Sequence, residues 1–83
     1  MTALARSAIQ VGQIIQAHRK AQGLSQTDLA LRTGLRQELI SRIENGHEGA
    51  KVGTICELLA ALDLEMTIGP RTKSSAADIR DIF

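Results

Sequence analysis

Tryptophan and tyrosine are absent from this chain, and its one phenylalanine, Phe83, is the last residue. The core must therefore be built from aliphatic side chains. A single cysteine, Cys56, excludes an intramolecular disulfide and any cysteine-based zinc cluster. With Ile55, Leu58 and Leu59 as helical neighbours, it is expected as a small core residue. No apolar run approaches the roughly 18 residues of a membrane span. Residues 1–15 lack the apolar h-region of a signal peptide, so the expected location is the cytoplasm. Charge is nearly balanced, with 10 basic and 9 acidic side chains giving a formal +1. That is weaker than the footprint of a basic nucleic-acid-binding domain, so composition alone does not point to nucleic acid. A dimer that gathers its basic residues on one face can still bind, with affinity sensitive to salt.

Catalysis has equally little to work with. There is no glycine-rich phosphate loop, no Ser/His/Asp arrangement and no pair of carboxylates at a strand end. His18 falls on the apolar stripe of the first helical segment and reads as a core-edge histidine. His47 lies in a loop beside Glu48, and two distant histidines with one cysteine make no metal site. The expectation is a protein that is not an enzyme and needs no cofactor.

What the 83 residues do contain is one domain's worth of helical signals. Ser7 followed by Gln10 has capping-box spacing and marks a helix start near Ala8. Val11, Ile14, Ile15 and His18 recur at helical spacing until Gly23. Ser25 is an N-cap for a second helix from Gln26 to about Thr33. A third runs from about Arg36 to Glu44, stopped by Asn45-Gly46. A fourth carries Val52, Ile55, Leu58, Leu59 and Leu62 on one face, with Lys51 a weak cap. The period then changes: Leu64, Met66 and Ile68 alternate with Glu65, Thr67 and Gly69, which predicts a short strand ended by Pro70. A lone strand has no partner within its own chain. These signals divide the chain into a flexible N-terminus at 1–6, a helical domain at 7–63, a dimerisation strand at 64–69 and a flexible tail at 70–83.

Within the domain, Gln26 to Asn45 has the pattern of a helix-turn-helix. Ala30 is small where a second helix must pack closely, and Gly34 suits the turn between helices. Leu29, Leu35, Ile40 and Ile43 fall where two short crossed helices bury side chains together. The outer face of the second of these helices is left for a DNA groove. Gln37, Glu38 and Arg42 are placed to read bases: glutamine pairs with adenine, arginine with guanine, and glutamate accepts from the cytosine amino group. Ser41 shares that face, and Leu39 beside it suits either a thymine methyl or the edge of the core. Gln26, at a helix N-terminus, suits a phosphate contact. Ser25, Arg32, Arg36, Asn45 and Lys51 are further candidates for the DNA backbone, Ser25 also serving as a cap. In the tail, Ile79, Ile82 and Phe83 lie at i, i+3 and i+4, a stripe able to dock in a partner's groove, against the ordinary fraying of a chain end.

The run R-K-A-Q-G-L-S-Q at Arg19 to Gln26, D-L-A from Asp28, Gly34-Leu35, and I-S-R-I-E-N-G at Ile40 to Gly46 resemble the Cro/phage-repressor (XRE) helix-turn-helix family. The resemblance implies an all-α, lambda-repressor-like domain of four helices and an ion pair between Arg19 and Glu44. It also implies phosphate and base-edge contacts for Gln26, and base-reading places for Gln37, Glu38 and Arg42. Glu38 stands where the family often has glutamine, and Leu39 where a small hydroxyl residue is common; both departures bear on the operator sequence and not on the groove-binding mode. From Val52 to Ile68 the chain resembles HipB-type antitoxins. Those proteins are dimers that repress their own operon and bind a HipA-like serine/threonine kinase toxin. Their short strand pairs with its copy in the second subunit, which implies the same role for Leu64, Met66 and Ile68 here. Two other readings stand beside an antitoxin repressor: a solitary repressor without a toxin, and a protein-interaction adaptor that has lost DNA binding.

Overall fold

The computed structural model describes residues 3–71 and contains four helices: α1 (Ala8–Ala21), α2 (Gln26–Thr33), α3 (Gln37–Glu44) and α4 (Val52–Ala61). Each boundary has a local cause. Ser7 caps α1, its Oγ accepting from the Gln10 N–H at 3.2 Å. Ser25 and Asp28 form a reciprocal box at the start of α2, both bonds at 2.9 Å. Gly34 ends α2 with φ 78°, a left-handed geometry that glycine adopts without steric cost. Thr33 closes the same turn from its side chain, donating to the Leu29 carbonyl at 2.9 Å and accepting from the Leu35 N–H at 3.2 Å. Arg36 is the N-cap of α3 and makes no side-chain cap bond, so the helix proper starts one residue later than its pattern predicts.

The core is six aliphatic side chains, one or two from each helix and one from the end of α4: Ile15, Leu29, Ile40, Ile43, Leu58 and Leu62. Leu35, Leu39, Ile55, Leu59 and Leu64 pack against its rim, half-buried. Helix α1 crosses the C-terminal end of α3 at Gly12. A Cβ there would lie 2.2 Å from the Ile43 carbonyl oxygen and 2.8 Å from that of Glu44. Glycine is required at that crossing because the two backbones meet without a side chain between them.

Three expectations are corrected. His18 is exposed, not at the core edge, because the buried line of α1 is Gly12, Ile15 and Arg19. Seating Gly12 against α3 turns the helix so that His18 faces outward. Cys56 is exposed too, and Val52 is 70% exposed. Helix α4 buries Leu58 while Ile55 and Leu59 flank it, which leaves Val52 and Cys56, one turn apart, on the outer side.

Among the described residues there is no strand. Leu64 is half-buried and its N–H donates to the Leu59 carbonyl at 2.7 Å, closing the end of α4. Beyond it, Met66 is 49% and Ile68 93% exposed. The segment expected as a strand has no second strand beside it in a single chain, so no ladder can form. Ile79, Ile82 and Phe83 lie outside the described residues. No helix of the described chain is long and apolar enough to cross a membrane.

Candidate nucleic-acid interface

The face left outside the core on α3 carries Gln37, Glu38 and Arg42, all exposed, with Ser41 half-buried among them. Leu39 is half-buried and packs against the core, which places it at the core edge with part of its surface outward. The spacing that makes this face polar is the same one that buries Ile40 and Ile43 on the opposite side.

Beneath this face lies a buried ion pair. Arg19 donates from Nε to Glu44 Oε2 at 2.6 Å and from Nη2 to Oε1 at 3.0 Å, a two-point pairing of guanidinium with carboxylate. The third guanidinium nitrogen, Nη1, donates to the Leu24 carbonyl at 2.7 Å. One arginine thus ties together α1, the α1–α2 turn and the end of α3. Burial works to raise the Glu44 pKa, but hydrogen bonds from Arg19, Gln26 and Gln16 and the Arg19 charge outweigh it, and the net shift is downward. Arg19 is shifted upward, chiefly by its hydrogen bond to Glu44. Both groups are therefore charged at neutral pH.

The pair connects to the exposed face through Gln26. Its Nε2 donates to Glu44 Oε1 at 3.0 Å, and its Oε1 accepts from Gln37 Nε2 at 3.2 Å. The first residue of α2 and the first residue of α3 are thereby held to each other and to the core. Gln26 and Gln37 are two candidates from different helices that the fold brings into side-chain contact.

The remaining candidates divide. Ser25 is engaged in its capping box. Asn45 closes α3, its Nδ2 donating to the Ser41 carbonyl at 2.8 Å. Arg36 and Lys51 are exposed at the N-caps of α3 and α4. Arg32 is not brought to the α3 face; its Nη1 lies 3.5 Å from the Ala61 carbonyl, at the end of α4. Gln16 was missed among the candidates, although it donates to Glu44 Oε1 at 3.3 Å. Its signal was its place three residues before Arg19, on the same side of a helix. Among the described residues no group of His, Cys, Asp and Glu is placed to hold a metal ion.

A family model described as helix-turn-helix (HTH_3) matches residues 15–68. An uncharacterized HTH-type transcriptional regulator of Sinorhizobium fredii is 38% identical over 73 residues, 88% of this chain. The chain spans only 36% of that relative's length. Antitoxin HipB of Escherichia coli is 30% identical over 78 residues, covering 92% of this chain and 83% of that protein. Among solved structures, the HipB chain of a HipA–HipB–O2–O3 complex superposes with a TM-score of 0.79 at 27% identity, over 86% of this chain and 100% of that one.

Proposed function

The chain belongs to the helix-turn-helix family, in its HipB-type subgroup, and on that premise we propose that this DNA-binding regulator is an antitoxin that represses its own operon and neutralises a HipA-like kinase toxin. The observation that carries the DNA-reading half is the α3 face itself. Gln37, Glu38 and Arg42 stand exposed on a helix whose position is locked from below by Gln26, Glu44 and Arg19. Side chains that read base edges must be held to a fraction of an ångström, and such a scaffold supplies that.

A two-fold dimer would set two such helices about 34 Å apart, one per major groove on the same side of a palindromic operator. Leu64, Met66 and Ile68 supply the dimer contact in this reading: paired with their copies, the two segments satisfy each other's backbone and cover exposed apolar side chains. Repression then needs no chemistry, only occupancy of a promoter. Gln26, Arg36, Asn45 and Lys51 would meet phosphates around the reading helix, with Ser25 beside them at the start of α2.

The toxin half rests on the likeness to Antitoxin HipB and to the HipB chain seen with HipA. A regulator without a toxin is the second reading: the 38% identical Sinorhizobium fredii protein bears the name of an HTH-type transcriptional regulator.

Fluorescence anisotropy of the full chain on its own upstream DNA tests the first half. Sequence-specific binding is expected, weakened by about 1–3 kcal/mol in Arg42→Ala. Equal, steeply salt-dependent binding to scrambled DNA, unaffected by Arg42→Ala, would sink it. Adding a HipA-like kinase separates antitoxin from solitary repressor: co-purification and loss of kinase activity are expected for the antitoxin, and neither for the solitary repressor.

A further inference from the structure

One oxygen of the buried Glu44 carboxylate, Oε1, has more donors than lone pairs to receive them. Three N–H groups converge on Oε1: Arg19 Nη2 at 3.0 Å, Gln26 Nε2 at 3.0 Å and Gln16 Nε2 at 3.3 Å. A carboxylate oxygen offers two lone-pair directions. Arg19, anchored also through Oε2, holds one of them. The two glutamines share the other.

They are not equivalent. Gln26 begins α2, at the edge of the DNA-reading face, with its carbonyl accepting from Gln37. Its amide has a second destination, a phosphate oxygen. Gln16 comes from α1, which carries no DNA-facing candidate. An amide leaving Glu44 with nothing to replace it would leave one lone pair of a fully buried oxygen unmet, and that cost would be subtracted from binding.

We propose that Gln16 is a positioning residue for DNA reading, taking over the shared lone pair of Glu44 Oε1 when the Gln26 amide turns out to a phosphate. The inference rests on the DNA-reading function proposed above. Gln16 thereby makes the core indifferent to where Gln26 points.

Two measurements on the full-length chain test this. In the unbound protein, Gln16→Met, which keeps the length and removes the donor, should leave Gln26 alone on Glu44. Hydrogen exchange of the Gln26 side-chain amide, read by NMR, is then expected to slow relative to wild type. On a duplex selected from a random pool by the wild-type chain, Gln16→Met should bind about 3- to 10-fold more weakly. Gln16→Lys, which restores a donor, should recover most of that loss. In a Gln26→Ala background, Gln16→Met should no longer affect binding.

Unchanged amide exchange overturns the proposal. So does an equal loss on selected and scrambled duplexes, or a loss that persists in Gln26→Ala, since either is what a merely structural role produces. If the wild-type chain selects no duplex at all, the DNA-reading function falls, and the amide exchange alone decides the role of Gln16.

Discussion

Helices α1 and α3 meet so closely that backbone touches backbone at Gly12, and Arg19 and Glu44 at their junction find partners inside one chain. Helix α4 and the segment after it are built the other way. Val52, Cys56, Met66 and Ile68 stand exposed, although each is a residue type that normally seeks burial. The polar pairing of the first region is made within one chain, while the second leaves these apolar side chains exposed. The difference maps onto the proposed division of labour, in which the closed junction holds the reading helix and the open side receives a second copy.

The sharpest way to break the comparison is at the closed junction. Glu44→Ala would leave Arg19 as an uncompensated charge among buried groups, a loss of about 3–5 kcal/mol, measurable by urea denaturation. The same carboxylate gives a pH signature. Its folded pKa lies below its unfolded value, so its contribution is fully present above the ordinary glutamate range near about 4.3 and is lost as pH falls below it. Glu44→Gln should flatten that acid limb of the stability curve; an unchanged limb would mean the pair does not act as described.

Gly12→Ala comes next, at roughly 1–3 kcal/mol, because a methyl group can enter only if α1 backs away from α3. Sequence-specific DNA binding should fall with it, since Arg19, which pairs with Glu44 of α3, sits about two helical turns further along α1. A variant as stable as wild type would show that the helices are not in backbone contact.

Ile68→Lys should do least to a single chain, within about 0.5 kcal/mol when unfolding is followed at high dilution. It should instead shift the monomer–dimer equilibrium toward monomer in sedimentation experiments, and operator affinity with it. That contrast sharpens the distinction between a region that stabilises the chain and one that joins two chains. An effect on the monomer equal to that of Gly12→Ala would erase it.

Reading residues in order was enough for the helix-turn-helix. Ser7, Ser25, Gly34 and Asn45 bracket the helices, and the structure places their ends within about one residue of those positions. The aliphatic spacing of Leu29, Ile40 and Ile43 likewise named core residues correctly. Burial was less legible. His18 and Cys56 look apolar-facing by periodicity, but each lies about one residue, or roughly 100°, from the buried line of its helix. Periodicity resolves a stripe to about that width, and the crossing helix decides its centre.

Helix boundaries and turn geometry were therefore determined by the sequence itself, because caps and left-handed turns depend on groups within four residues of one another. Tertiary structure alone decided which side of α1 faces inward, since the Gly12 crossing has no local signal of its strength. It also decided which donors share Glu44. Gln26 and Gln16 lie 18 and 28 residues from it in the chain. No local rule pairs side chains at that distance; only the packing of α1, α2 and α3 around one buried carboxylate brings them to the same oxygen.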